Sequence, residues 1–435
     1  MISSPFIGIA GVMVLILMLL FGIPVGVALG FVGIGGLTLI LGLEPALIKS
    51  GVILFETLSR YELGVLPLFF LMAHICFTAN ASRDFFDAAS SMFGHRKGGL
   101  ALASIGGCAG FGTISGSSLA TAATIGLVAL PEMRKRGYSD ALATGTIAAG
   151  GTLGQIVPPS GALIVFGIIA EESIGRLFTA AIVPAITQAF LYCLAVIILC
   201  NIKPGLAPAT VRSSWNERRA SLVRIIDIGL LVLLVIGGIA FGWFSPPEAA
   251  SVGSVGALLL CARRKRLNWA SLSKALNETL RTSGMVYIVV VGALIFSVFI
   301  SLSGLAENVA QLLSITGDHR IISLLIITVV LLLLGSILDG LALMLLTTPI
   351  FLPIIQDMGM SPVWFGIFLV RAMEIGFIHP PIGMNLFIIN NIAKDVSLSR
   401  IFKGVLPFLA SDFVHLLMLI LIPATVTWLP AALGQ

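Results

Sequence analysis

The sequence predicts an all-α polytopic membrane protein built from two related halves in inverted orientation, each with a re-entrant hairpin and a helix broken at a Pro-Pro pair. Three observations carry this reading. Of 435 residues, 58% are hydrophobic and only 10% charged, with a mean hydropathy of +1.09, where a soluble domain carries roughly a quarter charged residues. Runs long enough to cross about 30 Å of hydrocarbon fill nearly the whole chain. Shifting the chain on itself by 222 residues brings three prolines into ungapped register, in a sequence with only 20.

The apolar runs fall at 5–21, 24–42, 63–81, 99–131, 139–170, 177–200, 225–244, 246–262, 283–303, 321–356, 362–393 and 406–430. Four are too long for a simple span. Run 99–131 holds a glycine- and serine-rich centre from Gly106 to Ser118, and run 321–356 holds Gly335-Ser336-Ile337-Leu338-Asp339-Gly340. Glycine costs about 1 kcal/mol relative to alanine inside a helix, so each run reads as two half-length helices meeting at a polar tip. Runs 139–170 and 362–393 contain Pro158-Pro159 and Pro380-Pro381. Proline lacks the N–H of a helical ladder and clashes with the preceding turn, which makes these runs broken helices.

Charge orients the chain. With each hairpin returning to its own side, the loops around Arg83–Lys97, Arg134–Arg136, Lys203–Arg224, Arg263–Arg281 and Lys394–Lys403 share one side and hold 20 of the 25 Lys and Arg residues. That side is the cytoplasm by the positive-inside rule, and both termini are then expected outside, in the periplasm of a bacterial inner membrane. The pI of 9.1 therefore reflects loops facing lipid head groups rather than a nucleic-acid surface. Met1-Ile2-Ser3-Ser4-Pro5 has no basic n-region, so the first run is read as a retained span rather than a signal peptide. Cys76, Cys108, Cys193, Cys200 and Cys261 all lie in apolar runs without a C-x-x-C pair, as small core residues do. The stretches Arg212–Arg219 and Asn268–Arg281 read as basic, partly amphipathic segments at the cytoplasmic interface.

At the 222-residue shift Leu130-Pro131 matches Leu352-Pro353, Gly137 matches Gly359, Gly154 matches Gly376, Pro158-Pro159 matches Pro380-Pro381, and Gly161 matches Gly383. Five crossings between the hairpins, an odd number, invert the second copy. Inverted repeats provide two similar arrangements, one open to each side, with a site near the midplane. That symmetry suits a transporter and serves no evident purpose in an enzyme. The expected units are 1–98 (scaffold helices), 99–176 (first hairpin and broken helix), 177–303 (scaffold helices and cytoplasmic arms), 321–393 (second hairpin and broken helix) and 394–435 (C-terminal helix).

Breaks in hydrocarbon survive only where protein or a water-filled cavity satisfies the freed backbone. Freed carbonyls and hydroxyls are hard oxygen ligands, and half-helix N-termini favour anions. The first tip, Gly112 to Ser118, is paired with the break Gly154 to Ser160; the second, Gly335 to Gly340, with Gly376 to Asn385. The candidates for Na⁺ are Gly112, Ser115, Ser117, Ser118, Gly154 and Pro158 in the first half, and Gly335, Asp339, Gly376, Pro380, Gly383 and Met384 in the second. Thr113, Ser160, Arg371 and Asn385 are the candidates for substrate. Asp339 at a hairpin tip has three open readings: ion ligand, proton carrier, or cap of the second half-helix. Arg371 and Glu374, spaced i, i+3, are expected to neutralise each other. Asp412 and His415 are expected to contact a neighbouring helix, and His379 in the break reads as a hydrogen-bonded structural residue. His74, His95 and His319 show no metal-ligand spacing.

The motifs G-x-x-S-G-S-S (Gly112 to Ser118), P-E-M-R-K-R-G-Y (Pro131 to Tyr138), L-G-x-x-x-P-P-S (Leu153 to Ser160), L-D-G-L-A (Leu338 to Ala342), P-I-F-L-P (Pro349 to Pro353) and M-E-I-G-x-x-x-P-P-x-G-x-N (Met373 to Asn385) occur in this order. This combination resembles the large membrane (M) subunit of tripartite ATP-independent periplasmic (TRAP) transporters. The resemblance implies an elevator-type secondary transporter. In it a periplasmic binding protein (the P subunit) delivers an organic acid such as sialic acid or a C4-dicarboxylate, a Na⁺ gradient drives uptake, and a small four-helix Q subunit is the membrane partner. It maps family ion sites onto Ser115, Ser117, Gly154 and Pro158, and onto Gly335, Asp339, Gly376 and Gly383. His379 stands where the family usually has Thr, and Arg371 where the position is more often uncharged. The nearest rival is a stand-alone carboxylate transporter of the divalent-anion symporter type, which usually carries S-N-T at its hairpin tips; neither tip here does. An intramembrane hydrolase using Ser115 lacks both G-x-S-G and a base.

Overall fold

The structure, a computed structural model, describes residues 4–209, 212–314, 320–380 and 382–435. Met1–Ser3, His319 and Pro381 lie outside the described residues. All regular structure among the described residues is helical. The first half runs α1 (Ser4–Leu20), α2 (Val25–Leu41), α3 (Leu43–Ser59), α4 (Val65–Thr78), α5 (Ala81–Phe93), α6 (Gly99–Ser115), α7 (Ser118–Lys135), α8 (Asp140–Ile156), α9 (Gly161–Ile169) and α10 (Ile174–Ile202). The second runs α11 (Trp215–Ala240), α12 (Pro246–Arg263), α13 (Trp269–Ser303), α14 (Leu305–Ser314), α15 (Arg320–Gly335), α16 (Gly340–Asp357), α17 (Pro362–Gly376), α18 (Met384–Ile392), α19 (Leu398–Leu421) and α20 (Ala424–Ala432). Among the described residues six helical segments are long and apolar enough to cross a membrane, or seven if α8 and α9, bent by 42° at their break, are taken as one span.

The 222-residue shift is written in the helix boundaries. It carries α7 onto 340–357, the bounds of α16, and α8 onto 362–378, where α17 ends at Gly376. It carries α2 onto 247–263, against Pro246–Arg263 for α12, and α9 onto 383–391, against Met384–Ile392 for α18. The correspondence also reaches helices whose sequences show no obvious match: α3 falls on 265–281, all but its first four positions within the single helix α13, and α4 falls on 287–300 inside the same helix. The stretch Asn268–Arg281, read from sequence as an interfacial arm, is thus the first part of a continuous 35-residue helix. Helix α3 escaped the hydropathy reading because Glu44, Lys49 and Glu56 interrupt its apolar residues.

Local chemistry sets the ends. Ser139 accepts from the Leu142 amide at the start of α8, and Ser214 with Glu217 forms a capping box on α11. Lipid supplies no hydrophobic drive between apolar helices, so close packing of small residues must hold them together. Helices α2 and α13 do this: a Cβ on Gly26 would lie 2.8 Å from the backbone of Ile288, and one on Gly33 would lie 2.8 Å from the Phe296 nitrogen. Helices α1 to α4 and α11 to α13 pack chiefly among themselves, as do α6 to α10 with α15 to α20, while α5 lies between α6 and α11.

The basic loops are tied by ion pairs. Arg264 meets Asp84 at 2.5 Å and also donates to the carbonyls of Ala79 and Arg224. Arg263 pairs with Asp227. Arg134 bridges Asp140 at 2.9 Å and Asp395 at 3.0 Å, and the Asp395 carboxyl is held below the usual carboxylate range by its own backbone N–H and by Arg134. Four of the five cysteines are buried and Cys193 is half-buried; all five are free thiols.

Candidate functional site

In each half the tip between paired helices is pressed against the broken helix. The tip between α6 and α7 is Gly116-Ser117, where Gly116 takes a left-handed φ of 56°. Ser115 Oγ lies 2.6 Å from Thr121 Oγ1, and Ser117 caps α7 by accepting from the Ala120 amide. The break Val157–Ser160 is next to it: the Gly161 amide donates to the Gly116 carbonyl at 3.4 Å, and Ser160 caps α9. A Cβ on Gly112 would stand 2.8 Å from Gly154 Cα, while one on Gly154 would run into Thr121 Oγ1 and stand 2.7 Å from the Ser117 carbonyl oxygen. Gly154 therefore leaves a space walled by hydroxyl and carbonyl oxygens of Ser117, Thr121 and, through its hydrogen bond, Ser115.

The second half repeats the arrangement with other side chains. A Cβ on Gly376 would lie 2.5 Å from the Gly335 carbonyl oxygen. Asp339 occupies the N-cap position of α16 with its carboxylate directed at the amides of Gly340, Leu341 and Ala342, without closing a cap hydrogen bond. Ser336 Oγ is 3.3 Å from His379 Nδ1, so the histidine of the break touches the tip. Beyond the break, Gly383 takes a left-handed φ of 64° and Met384 opens α18. Pro380 is exposed.

Contacts thus join Gly112, Ser115, Ser117 and Gly154 in one half and Gly335 with Gly376 in the other, with Pro158, Asp339, Pro380, Gly383 and Met384 on the adjoining tip or break, while Ser118 of the first tip turns instead to Asn385 of the other half. The four residues assigned to substrate each bond a different partner. Thr113 is half-buried and bonds the Gly110 carbonyl, Ser160 is buried as a helix cap, and Arg371 and Asn385 are enclosed, 0% exposed. Arg371 also differs from the expected i, i+3 pairing: its long stem carries Nη2 across to Asp412 on α19, at 2.6 Å, rather than to Glu374 on its own helix. The same Asp412 oxygen accepts from Gln188 and Tyr192 of α10, each at 2.7 Å. His415 Nε2 lies 3.0 Å from Thr187 Oγ1, also on α10. The neighbour of Asp412 and His415 is therefore named, and the network is fully buried.

A cavity of 670 Å³ opens beside the first tip, between α4, α6–α7 and the first turns of α13. Ser115 and Ser117 form one wall, Phe70, His74 and Phe77 a second, and Lys274 and Glu278 a third. Sequence reading gave the Lys274 stretch no chemistry, because an amphipathic basic helix looks the same whether its polar face meets water or a cavity. It also missed Thr121, one turn beyond the Gly-Ser motif; the i+3 to i+4 geometry of a helix start was the available signal.

Residues 12–425 match the family model described as the tripartite ATP-independent periplasmic transporter, DctM component. The chain is 33% identical over 93% of its length, and 94% of the relative, to the C4-dicarboxylate TRAP transporter large permease protein DctM of Pseudomonas aeruginosa. It is 31% identical to the sialic acid TRAP transporter large permease protein SiaM of Vibrio cholerae, covering 94% of this chain and 95% of that one. A 32% match covers 94% of this chain and 64% of the isethionate TRAP transporter permease protein DctMQ of Oleidesulfovibrio alaskensis. Among solved structures, the Alcanivorax borkumensis YdaH transporter superposes with a TM-score of 0.59 at 16% identity, covering 89% of this chain and 90% of that one, a likeness of fold alone.

Proposed function

The chain belongs to the DctM component family of tripartite ATP-independent periplasmic transporters, and on that premise we propose that it is the large permease of a Na⁺-driven organic-acid uptake system in the bacterial inner membrane. It works with a separate four-helix membrane subunit and a periplasmic binding protein. The observation that carries the reading is the pair of hairpin-tip and helix-break contacts, Gly112 with Gly154 and Gly335 with Gly376, in a chain that matches the family over nearly its whole length. The relatives are named for C4-dicarboxylate, sialic acid and isethionate, all organic anions.

The residues present suit a hard monovalent cation. At the first tip, hydroxyl and carbonyl oxygens of Ser115, Ser117 and Thr121 surround the space that a Cβ on Gly154 would fill. At the second, Asp339 adds a carboxylate beside the freed end of α17. The first tip borders a cavity whose serine wall and Lys274, beside Glu278, offer donors to an anion. The group α6–α10 with α15–α20 moves as a body past α1–α4 and α11–α13, carrying both tips from one face of the membrane to the other. The inverted relation of the halves gives the two end states similar energies. The small residues at the α2–α13 crossing keep the fixed body rigid.

Uptake of a labelled organic acid into proteoliposomes tests the reading. Transport should need the Na⁺ gradient, the small subunit and a matching binding protein together. Na⁺-independent uptake by this chain alone would overturn it.

A further inference from the structure

Between the two halves lies a group of buried acceptors that neither tip uses. Glu374 on α17 is 0% exposed, and no donor closes a well-formed hydrogen bond to either of its carboxylate oxygens, the Ser118 hydroxyl being the one group directed at them. It faces the hydroxyl of Ser118, at the start of α7 in the other half. Asn385 on α18 donates through Nδ2 to the same Ser118 Oγ at 2.9 Å and to the Ala148 carbonyl at 3.1 Å, which fixes its amide and leaves Oδ1 without a donor. Ser118 and Asn385 are also 0% exposed. The charge balance points the same way. The buried network holds one guanidinium, Arg371, against two carboxylates, Asp412 and Glu374, and the guanidinium's hydrogen bond goes to Asp412. Of the other titratable groups, Tyr192 is engaged by Asp412, and His415 by Thr187. Arg371 is three residues from Glu374 on the same helix and acts on both carboxylates, but one guanidinium cannot balance two, and an excess buried carboxylate is strongly unfavourable in an apolar interior.

We propose that Glu374, Ser118 and Asn385 form a monovalent-cation site for Na⁺, distinct from the two tip sites and bridging the two halves. It rests on the transport reading above for its role in the cycle, but its chemistry stands on these residues. Carboxylate, hydroxyl and amide oxygens are hard donors suited to an alkali cation. A cation engages all the free acceptors together, whereas a proton on Glu374 engages only the oxygen that carries it and one acceptor. The site has no symmetry mate: the 222-residue shift places Thr152, Leu163 and Gly340 at the positions of Glu374, Asn385 and Ser118. It therefore adds a single ion to those held by the duplicated tips, and a cation in it ties α7 of one half to α17 and α18 of the other.

Equilibrium binding of radioactive Na⁺ to the purified complex of large and small subunits tests this directly. Glu374→Gln, which keeps the shape and removes the charge, should lower the bound Na⁺ by one ion per chain. Ser118→Ala should raise the half-saturating Na⁺ several-fold. An unchanged ion count in Glu374→Gln overturns the site. So does an infrared band of a protonated carboxyl that is lost in that variant while Na⁺ binding stays the same, which would assign a proton instead. If Glu374→Gln does not assemble, Glu374→Asp decides: the shortened side chain should weaken Na⁺ binding several-fold, and unchanged affinity overturns the proposal. The ion count is read without substrate, gradient or binding protein, so it stands or falls independently of the uptake experiment.

Discussion

The carbonyl oxygen of Gly335 occupies the place where Gly376 would carry a Cβ, 2.5 Å from that position. The hairpin tip of the second half can rest on the broken helix because Gly376 lacks a side chain at the contact. Gly376→Ala should push the tip away, and overpacking of this kind costs about 1–3 kcal/mol. Na⁺-driven uptake should fall at least tenfold while the complex still purifies intact. Gly154→Ala, whose added methyl meets Thr121 and Ser117, should do the same in the first half. Neutral behaviour in both variants would show that the tip contacts do not matter for coupling.

Thr121 holds Ser115 by a 2.6 Å hydroxyl contact. Thr121→Ala removes that contact and one oxygen from the first tip. A net hydrogen bond is worth about 0.5–1.5 kcal/mol, so half-saturating Na⁺ should rise by roughly three- to tenfold. Thr121→Ser should recover most of the affinity. Measuring the Na⁺ dependence of initial uptake rates checks both.

Asp412 gathers Arg371, Gln188 and Tyr192 on one oxygen in a fully buried setting. Asp412→Asn removes the carboxylate that accepts from the guanidinium, and breaking a buried pair costs about 3–5 kcal/mol. A large fall in thermal stability of the detergent-solubilised complex is expected. Arg371→Met combined with Asp412→Leu should recover much of that fall, because the hydrogen-bonded charge pair is then removed as a unit and no half of it is left behind. A double variant as unstable as Asp412→Asn would argue against charge as the cause.

Lys274 stands on the wall of the cavity beside Ser115 and Ser117. Lys274→Gln should raise KM for an anionic substrate several-fold and leave the maximal rate nearly unchanged, the pattern of lost uniform binding. A fall in rate without a change in KM would place Lys274 outside the substrate path.

The Asp395 carboxyl, lowered by its own backbone N–H and by Arg134, contributes stability above the ordinary aspartate pKa of about 3.9. It loses that contribution as pH falls through its lowered value. The stability difference between the protein and Asp395→Asn should be constant from neutral pH down to about pH 5 and shrink below about pH 4. A difference that grows on acidification would reverse the assignment.

Much of this architecture could be read from residues alone, and the reasons are physical. Gly112, Gly154 and the Pro158-Pro159 pair announce themselves because glycine and proline are costly in a helix unless geometry demands them. Asp339 is visible because a carboxylate in an apolar run is rare. The Arg371–Asp412 pair was hidden: the two residues lie 41 positions apart, and an i, i+3 neighbour offered Arg371 a nearer partner on paper. The roles of Ser118 and Asn385 as a bridge between halves were equally invisible, since a hydrogen bond spanning 267 positions leaves no periodicity. Helix α3 was lost to its three charges, although its match in the first part of α13 shows that it belongs to the repeat.

The fusion of two elements into α13 has a mechanical consequence. At 1.5 Å per residue, its 35 residues extend about 52 Å, well beyond the roughly 30 Å of hydrocarbon. In the first half the corresponding path is jointed between α3 and α4 at Arg60–Gly64. One half is therefore a stiff strut and the other an elbow, so any flexing of these helices would concentrate at that joint rather than be shared equally between the halves.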